Sequence, residues 1–359
     1  MSELLKNQSI HRHIYLDLER KIVTGEIGFM DQLPPLPRLC DQYGVSEAPI
    51  RRALDELARD GMIEKRRGRG KGTVVIKRLV PTTLRCLLML GEQGLKSQIE
   101  YCHEVFDLIA GIQKEGYDRG CRVQMVSPGG FDCLPSSTRS TGYLVIAMGR
   151  DDYRAGVAMA ERYGAPWLLV NSPEAWCADS TLRVDMRYGA YSAVNHLFQI
   201  GHRRIAYIGK TENEWAAPRF EGYCQALAGC GLPFRPELVR ATTGFDEAED
   251  EAALASLMEE SEPPTALFAI SDYRALHLLN ACRRLGLDVP GQISICGYDD
   301  IWDASAVEPG LTTVHHPRYE LGQLAVERLC AMIHDKESPS DHVVRPHLVV
   351  RESCAPPVA

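Results

Sequence analysis

Residues 45–78 read VSEAPIRRALDELARDGMIEKRRGRGKGTVVIKR. The first half has a helical period. Ile50, Leu54 and Leu57 share one face, flanked by Ala53 and Ala58, while Arg51, Arg52 and Asp55 lie on the other side. Ser46 suits the N-cap, Pro49 is tolerated in the first turn, and Gly61 stops the helix. Two short β runs follow, MIEK and TVVIK, joined by RRGRGKG, which predicts a hairpin. From Glu64 onward, seven of the eight charged residues in this stretch are Lys or Arg.

Two more helices are predicted before it. IHRHIYLDLERKIVTGEI places Ile14, Leu18 and Ile22 at helical spacing with Tyr15 beside them, and Gly25 can end the helix. LPPLPRLCDQYG enters a short second helix through its prolines and closes it at Gly44. Three short helices and a basic hairpin predict a winged helix-turn-helix. Its third helix would enter the major groove of double-stranded DNA, and its wing would lie against phosphates or in the minor groove. Glycines at the wing tip would let the backbone approach DNA closely.

The charge distribution agrees with such a division of labour. The chain has 359 residues and 40 Lys plus Arg against 48 Asp plus Glu. Residues 1–80 carry a net +4 and the remainder a net −12. That asymmetry fits a small polyanion-seeking module on a larger acidic body. The start, MSELLKNQSIHRHIYLDLERK, has no apolar core of the signal-peptide type, and no stretch approaches the roughly 18 apolar residues that span a bilayer. A cytoplasmic location is therefore expected. The twelve cysteines are scattered, without a Cys-x-x-Cys pair, and read as small buried thiols, not as metal ligands or disulfides.

After a linker over 77–83, strand and helix patterns alternate to about residue 350. LRCLLML, RVQMV, YLVIA, PWLLV, RIAYIG, ALFAI and ISICGY read as buried strands. Residues 101–118, 188–200, 218–230, 247–260, 272–285 and 317–334 read as helices. The fold class is therefore α/β, with parallel sheets covered by helices, and so many strands favour two lobes facing across a cleft. Ligands in such folds bind beyond the carboxyl ends of the strands. The expected domains are 1–76 for the DNA-binding unit and 84–359 for the two-lobed body.

The N-terminal motifs LPPLPRLC, GVSEAPIRRALDEL, GMI and GKGTVV resemble the GntR family of bacterial regulators over about 65 residues. The resemblance implies a DNA-binding set of Arg38, Ser46, Glu47, Ala48, Arg51, Arg52, Arg66, Arg67, Arg69, Gly70 and Lys71. Two departures stand out. Pro37 occupies the family's first Arg position, with Arg38 one step later, and Glu47 replaces the Arg after G-V-S. Glu47 could accept a hydrogen bond from a cytosine amino group or simply favour the helix N-terminus by its charge.

The body resembles the LacI/GalR sensor domain, a periplasmic-binding-protein-like unit. The blocks VDMRYGAYSAVNHLFQIGHRRIAYIG, RFEGYCQAL, ALFAISDYRAL, RRLGLDVPGQISICGYDD, LTTVHHPRYELGQLAVERL and HLVVRES run in family order from about 184 to 353. SPGGFDCLPSSTRSTG, at 127–142, replaces a full helix of that family and implies an altered first-lobe rim. The resemblance implies that Arg219 and Asp299 bind a small polar effector, a sugar or sugar derivative, with Ser271 as a further polar contact. Asp272 could bind it or cap the following helix. Trp215 and Trp302 could stack on a sugar ring or pack at the rim. Glu104 and Phe106 begin the helix that lines the cleft in relatives, and Phe106 could equally lie in the core. His315 and His316 have no metal-like partners in sequence and read as structural.

No P-loop, nucleophile elbow or H-E-x-x-H motif is present, so no catalytic residue, metal or cofactor is expected. The expected function is a homodimeric transcription regulator, most simply a repressor, whose operator affinity is set by the effector. The alternative is a dimeric DNA-binding scaffold whose sensor has lost its ligand.

Overall fold

The computed structural model describes residues 3–23, 26–66, 72–76, 82–89, 98–127, 140–176, 179–244, 246–334 and 337–358, with side chains of 3–9 and 98–104 left aside. Helix α1 (Glu3–Val23), α2 (Leu36–Tyr43) and α3 (Glu47–Arg59) pack around one apolar centre. Ile14, Leu18 and Ile22 of α1 meet Leu39 of α2 and Ile50, Ala53, Leu54 and Leu57 of α3. The helical period of each segment puts these residues on one face, and burying each large one contributes about 2 kcal/mol. Gly44 adopts φ 63° after α2, a left-handed turn that lets its amide cap the carbonyl of Cys40. Ser46 stands at the N-cap of α3 in extended conformation without a side-chain capping bond.

Strands β1 (Ile63–Lys65) and β2 (Thr73–Val75) form the antiparallel hairpin, with Ile63 opposite Val75 and Lys65 opposite Thr73. Residues 30–33 run along the other side of β2, where Met30 and Leu33 amides bond the carbonyls of Val75 and Thr73. The hairpin tip, including Arg67, Arg69, Gly70 and Lys71, lies outside the described residues.

The body has two six-stranded sheets. In the first lobe, strands β3 (Thr83–Met89), β4 (Arg122–Val126), β5 (Thr141–Ala147), β6 (Trp167–Val170), β7 (Thr181–Val184) and β13 (Asp341–Val344) lie in the order β13-β7-β6-β5-β3-β4, all parallel. Helices α4 (Gln98–Asp118) and α11 (Arg318–His334) cover one face, and α5 (Arg150–Arg162) the other. A Cβ on Gly111 would fall 2.0 Å from the Tyr319 carbonyl, and one on Gly322 would fall 2.2 Å from that of Leu108, so α4 and α11 touch backbone to backbone. The segment 128–139, where the rim is expected to differ, lies outside the described residues.

In the second lobe, β8 (Ile205–Gly209), β9 (Val239–Ala241), β10 (Ala266–Ala269), β11 (Ser294–Asp299), β12 (Thr312–His315) and β14 (His347–Val349) take the order β14-β12-β11-β10-β8-β9. Only β14 runs antiparallel. Helices α6 (Met186–Gln199), α7 (Ala216–Gly229), α8 (Glu247–Met258) and α9 (Asp272–Leu285) sandwich the sheet, and α10 (Asp303–Ala306) is a single turn. The chain crosses between lobes three times: at Asp185, at 316–317 and at 345–346. The first lobe is therefore completed by α11 and β13, from near the end of the chain. No helix among the described residues is long and apolar enough to cross a membrane.

Candidate functional sites

The apolar face of α3 is buried, so its other face is presented outward. Ser46, Glu47, Ala48, Arg51 and Arg52 are all exposed there, as are Arg38 on α2 and Arg66 at the end of β1. Arg51 does not stand alone. Its Nε and Nη2 donate to Glu47 Oε2 at 3.1 and 2.8 Å, one helical turn earlier. Arg66 Nε likewise donates to Glu64 at 2.9 Å. Sequence spacing allows the Glu47–Arg51 pair, since i and i+4 share a face. It offers a third role for Glu47, as the group that orients Arg51.

Between the lobes, three charged side chains converge. Arg219, in the first turn of α7, donates from Nη1 to the Ile270 carbonyl at 2.9 Å and from Nη2 to Asp299 Oδ1 at 3.0 Å. Its guanidinium lies over the Tyr298 ring, 4.1 Å from the centroid. Arg318, the first residue of α11, donates from Nη2 to the same Oδ1 at 2.8 Å and from Nη1 to the Asp299 carbonyl at 3.0 Å. Asp299 is 2% exposed, and Oδ2 takes no part in these bonds. It ends β11 with φ 119°, followed by Asp300 at φ 53°. Two consecutive non-glycine residues in the left-handed region are strained, and such strain persists only where surrounding contacts hold it.

Unpartnered polar atoms surround this cluster. Among the described residues, Ser172 Oγ after β6, Thr242 Oγ1 after β9, Ser271 Oγ after β10, Tyr298 Oη and His316 Nδ1 are buried without a hydrogen-bond partner. The first three follow the carboxyl ends of parallel strands from both lobes. Buried hydroxyls without partners are uncommon, and a cluster of them at strand ends is suited to a polar ligand. His316 Nε2 lies 2.9 Å from Asn171 Oδ1, which ties the second crossing segment to the first lobe. Burial first, and then the charges of Arg318 and Arg219, push the His316 pKa well down, so its imidazole is neutral.

A second set of contacts crosses the mouth of the cleft. Glu214, just before α7, accepts from the Trp176 indole N–H and from Arg150, both in the first lobe. Trp176 meets Trp215 edge-on at 5.9 Å and stacks on Tyr153 at 5.4 Å. Arg187 reaches Glu174 across the same boundary at 3.1 Å.

The sequence-derived candidates separate on this geometry. Arg219, Asp299 and Ser271 come together. Asp272 is committed elsewhere: Thr313 Oγ1 donates to one oxygen and the Ile301 amide to the other, at 2.9 Å. Burial first, and then the Asp299 charge, push its pKa up to about 7. It fixes the loop after β11. Trp215 packs on Trp176, whereas Trp302 is 80% exposed and stacks on no ring among the described residues. Phe106 is 64% exposed, because Leu108 and Ile112 take the buried face of α4, so it lies outside the core. The Glu104 side chain lies outside the described residues. His315 bonds Asp300 through Nδ1 at 2.8 Å, and the pair keeps the imidazole pKa raised. No group of three or more His, Cys, Asp or Glu among the described residues is arranged to hold a metal.

Sequence reasoning missed Arg318, Asn171, Ser172, Thr242 and the Trp176–Glu214–Arg150 bridge. One signal for Arg318 was present. A cation in the first turn of a helix opposes the helix dipole, so another contact must favour it, and Arg318 stands at the start of α11.

Residues 10–75 match the gntR family of bacterial regulatory proteins, and 194–354 match the periplasmic binding protein-like domain. The chain is 27% identical to the arabinose metabolism transcriptional repressor of Geobacillus stearothermophilus, over 94% of this chain and 97% of that one. It is 39% identical to the HTH-type transcriptional repressor CytR of Escherichia coli K12, over 41% of this chain and 43% of that protein. Among solved structures, a LacI family transcriptional regulator from Mycobacterium smegmatis is 29% identical, with a TM-score of 0.59 over 77% of this chain and all of its own. The structure of the regulator CelR with cellobiose aligns over 89% of this chain with a TM-score of 0.62, and at 23% identity it bears on the fold.

Proposed function

We propose that this chain, a homologue of the arabinose metabolism repressors that joins a gntR-type reader to a periplasmic-binding-protein-like body, is a DNA-binding transcriptional regulator controlled by a small polar effector. It is a regulator and not an enzyme, and it works in the cytoplasm, where its DNA is. The exposed face of α3 and the basic wing bind operator DNA. The cleft takes a sugar or sugar derivative. The observation that carries the effector reading is the buried Arg219–Asp299–Arg318 cluster ringed by partnerless hydroxyls from both lobes. Asp299 accepts from ligand hydroxyls and the guanidiniums donate to ligand oxygens, so a polyhydroxylated molecule satisfies both sides at once. Closure on it moves one lobe against the other. In a homodimer, that changes the spacing of two DNA readers whose half-sites must match the helical repeat.

The test is a thermal-shift panel of pentoses, hexoses, disaccharides and nucleosides on the full chain. One member should raise the melting temperature by several degrees, and Arg219→Ala should abolish the rise. Stabilisation by none of them, with DNA binding intact, would favour the ligand-free scaffold.

A further inference from the structure

Two thiols meet where the α4–β4 junction reaches the last turns of α11. Cys121 sits between α4 and β4, and Cys330 lies one turn before the end of α11. They are 209 residues apart in sequence, yet their sulfurs are 3.6 Å apart and share a hydrogen. Both are free thiols. Their surroundings differ. Cys330 is buried, at 7% exposure, among the apolar side chains under the sheet, whereas Cys121 is half-buried and open to solvent. The hydrogen bond with Cys330, assisted by the charge of Arg119, holds the Cys121 pKa down against its burial. The same bond and its own burial hold Cys330 up. A half-buried thiol in contact with a buried one is the arrangement of an attacking and a resolving cysteine.

We propose that Cys121 and Cys330 form a redox pair that a hydroperoxide closes into a disulfide. The Cys121 thiolate attacks one peroxide oxygen. The O–O bond breaks, water leaves after taking up a proton, and Cys121 becomes a sulfenic acid. The Cys330 sulfur then attacks the Cys121 sulfur. The S–O bond breaks, a second water leaves with the Cys330 proton, and the S–S bond forms. Two thiols lose two protons and two electrons, and one hydrogen peroxide becomes two waters. The sulfurs must close from 3.6 Å to about 2.05 Å. The bond would staple the end of α11 to the α4–β4 junction. That end also carries His334, whose Nε2 lies 2.9 Å from Thr82 Oγ1, beside the linker to the DNA reader. The other end carries Arg318.

Reduced full-length protein is treated with hydrogen peroxide, alkylated, and mapped by mass spectrometry without reduction. The expected result is a linked pair of peptides containing Cys121 and Cys330, two hydrogens lighter than the reduced pair, restored by dithiothreitol. Cys330→Ser should give no cross-link and should leave Cys121 trappable by dimedone as a sulfenic acid, while Cys121→Ser should leave Cys330 alkylatable. The proposal is overturned if both residues stay alkylatable while other thiols of the same chain are oxidised. It is equally overturned if the cross-link forms instead between Cys296 of β11 and Cys354, a second pair of hydrogen-bonded thiols, or only after the protein is unfolded.

Discussion

Replacing Asp299 with Asn keeps the shape of the side chain and removes the carboxylate bonded to both Arg219 and Arg318. The carboxylate is 2% exposed and the two arginine side chains are 10% and 5% exposed, so water cannot take over the lost role. Removing one member of a buried charge cluster destabilises by about 3–5 kcal/mol, because the remaining charges are left facing each other in a dry site. For a body of this length, about 2 °C of melting temperature is lost per kcal/mol, which gives a fall of about 6–10 °C. Differential scanning calorimetry of the full chain reads it directly. Glu251→Gln, which breaks an exposed pair with Arg284, is the comparison and should move the transition by about 1 °C or less. Raising the salt to about 0.5 M should leave the Asp299→Asn deficit in place, since screening does not reach a buried cluster. A variant that melts with the wild type would refute the reasoning: the cluster would then be hydrated in solution, and the cleft would lack the dry polar centre from which its ligand chemistry is argued.

Three further expectations follow from other parts of the molecule. Glu47→Gln should free Arg51 and tighten DNA binding by about three- to tenfold, measured by fluorescence anisotropy; neutralising Arg66, Arg67 and Arg69 together should weaken it and flatten the salt dependence by about 2–3 in the log–log slope. Asp272 is an acid whose folded pKa, about 7, lies above its unfolded value, so the folded state holds the extra proton. Its contribution to stability is present at low pH and is lost as pH rises toward 7, by at most about 1.4 kcal/mol per unit. Asp272→Asn should therefore remove part of the decline in melting temperature between about pH 5 and 7, and an unchanged pH profile would count against a proton on Asp272. Glu214→Ala should unlatch the cleft mouth, seen as a larger radius of gyration in solution scattering and a changed tryptophan emission from Trp176 and Trp215.

The parts of this structure that announce themselves in sequence are those stabilised by near neighbours. The period of α3 and the pairing of β1 with β2 are local, and so are the apolar runs of β3, β5, β8 and β10. What escaped reading depends on distant partners. β13 is a short strand with exposed residues that exists because Asp341 and its neighbours pair with Thr181–Val184, 160 residues earlier. Trp176 and Glu214 come together only because two lobes face each other. Asp272 and Asp299 both stand at strand ends, and sequence offers no way to see that Thr313 and Ile301 occupy the first while two arginines take the second. Phe106 illustrates the opposite limit: a helical period tells that Leu108 and Ile112 are buried, but not what an exposed aromatic faces.

The first lobe takes its last helix and strand from beyond residue 317, and this orders events during synthesis. The DNA reader, complete by residue 76, can fold while most of the chain is still unmade. The second lobe lacks β14 and the segment after it, whose Ser353 bonds Ile295 and Thr312, when α11 begins to emerge. The first lobe, despite starting at Thr83, must wait for α11 to cover its sheet and for β13 to extend it. A ribosome that stops near residue 316 would thus release a folded reader and a nearly finished second lobe joined by an open, sticky sheet. Such a fragment could still occupy DNA while being deaf to any effector.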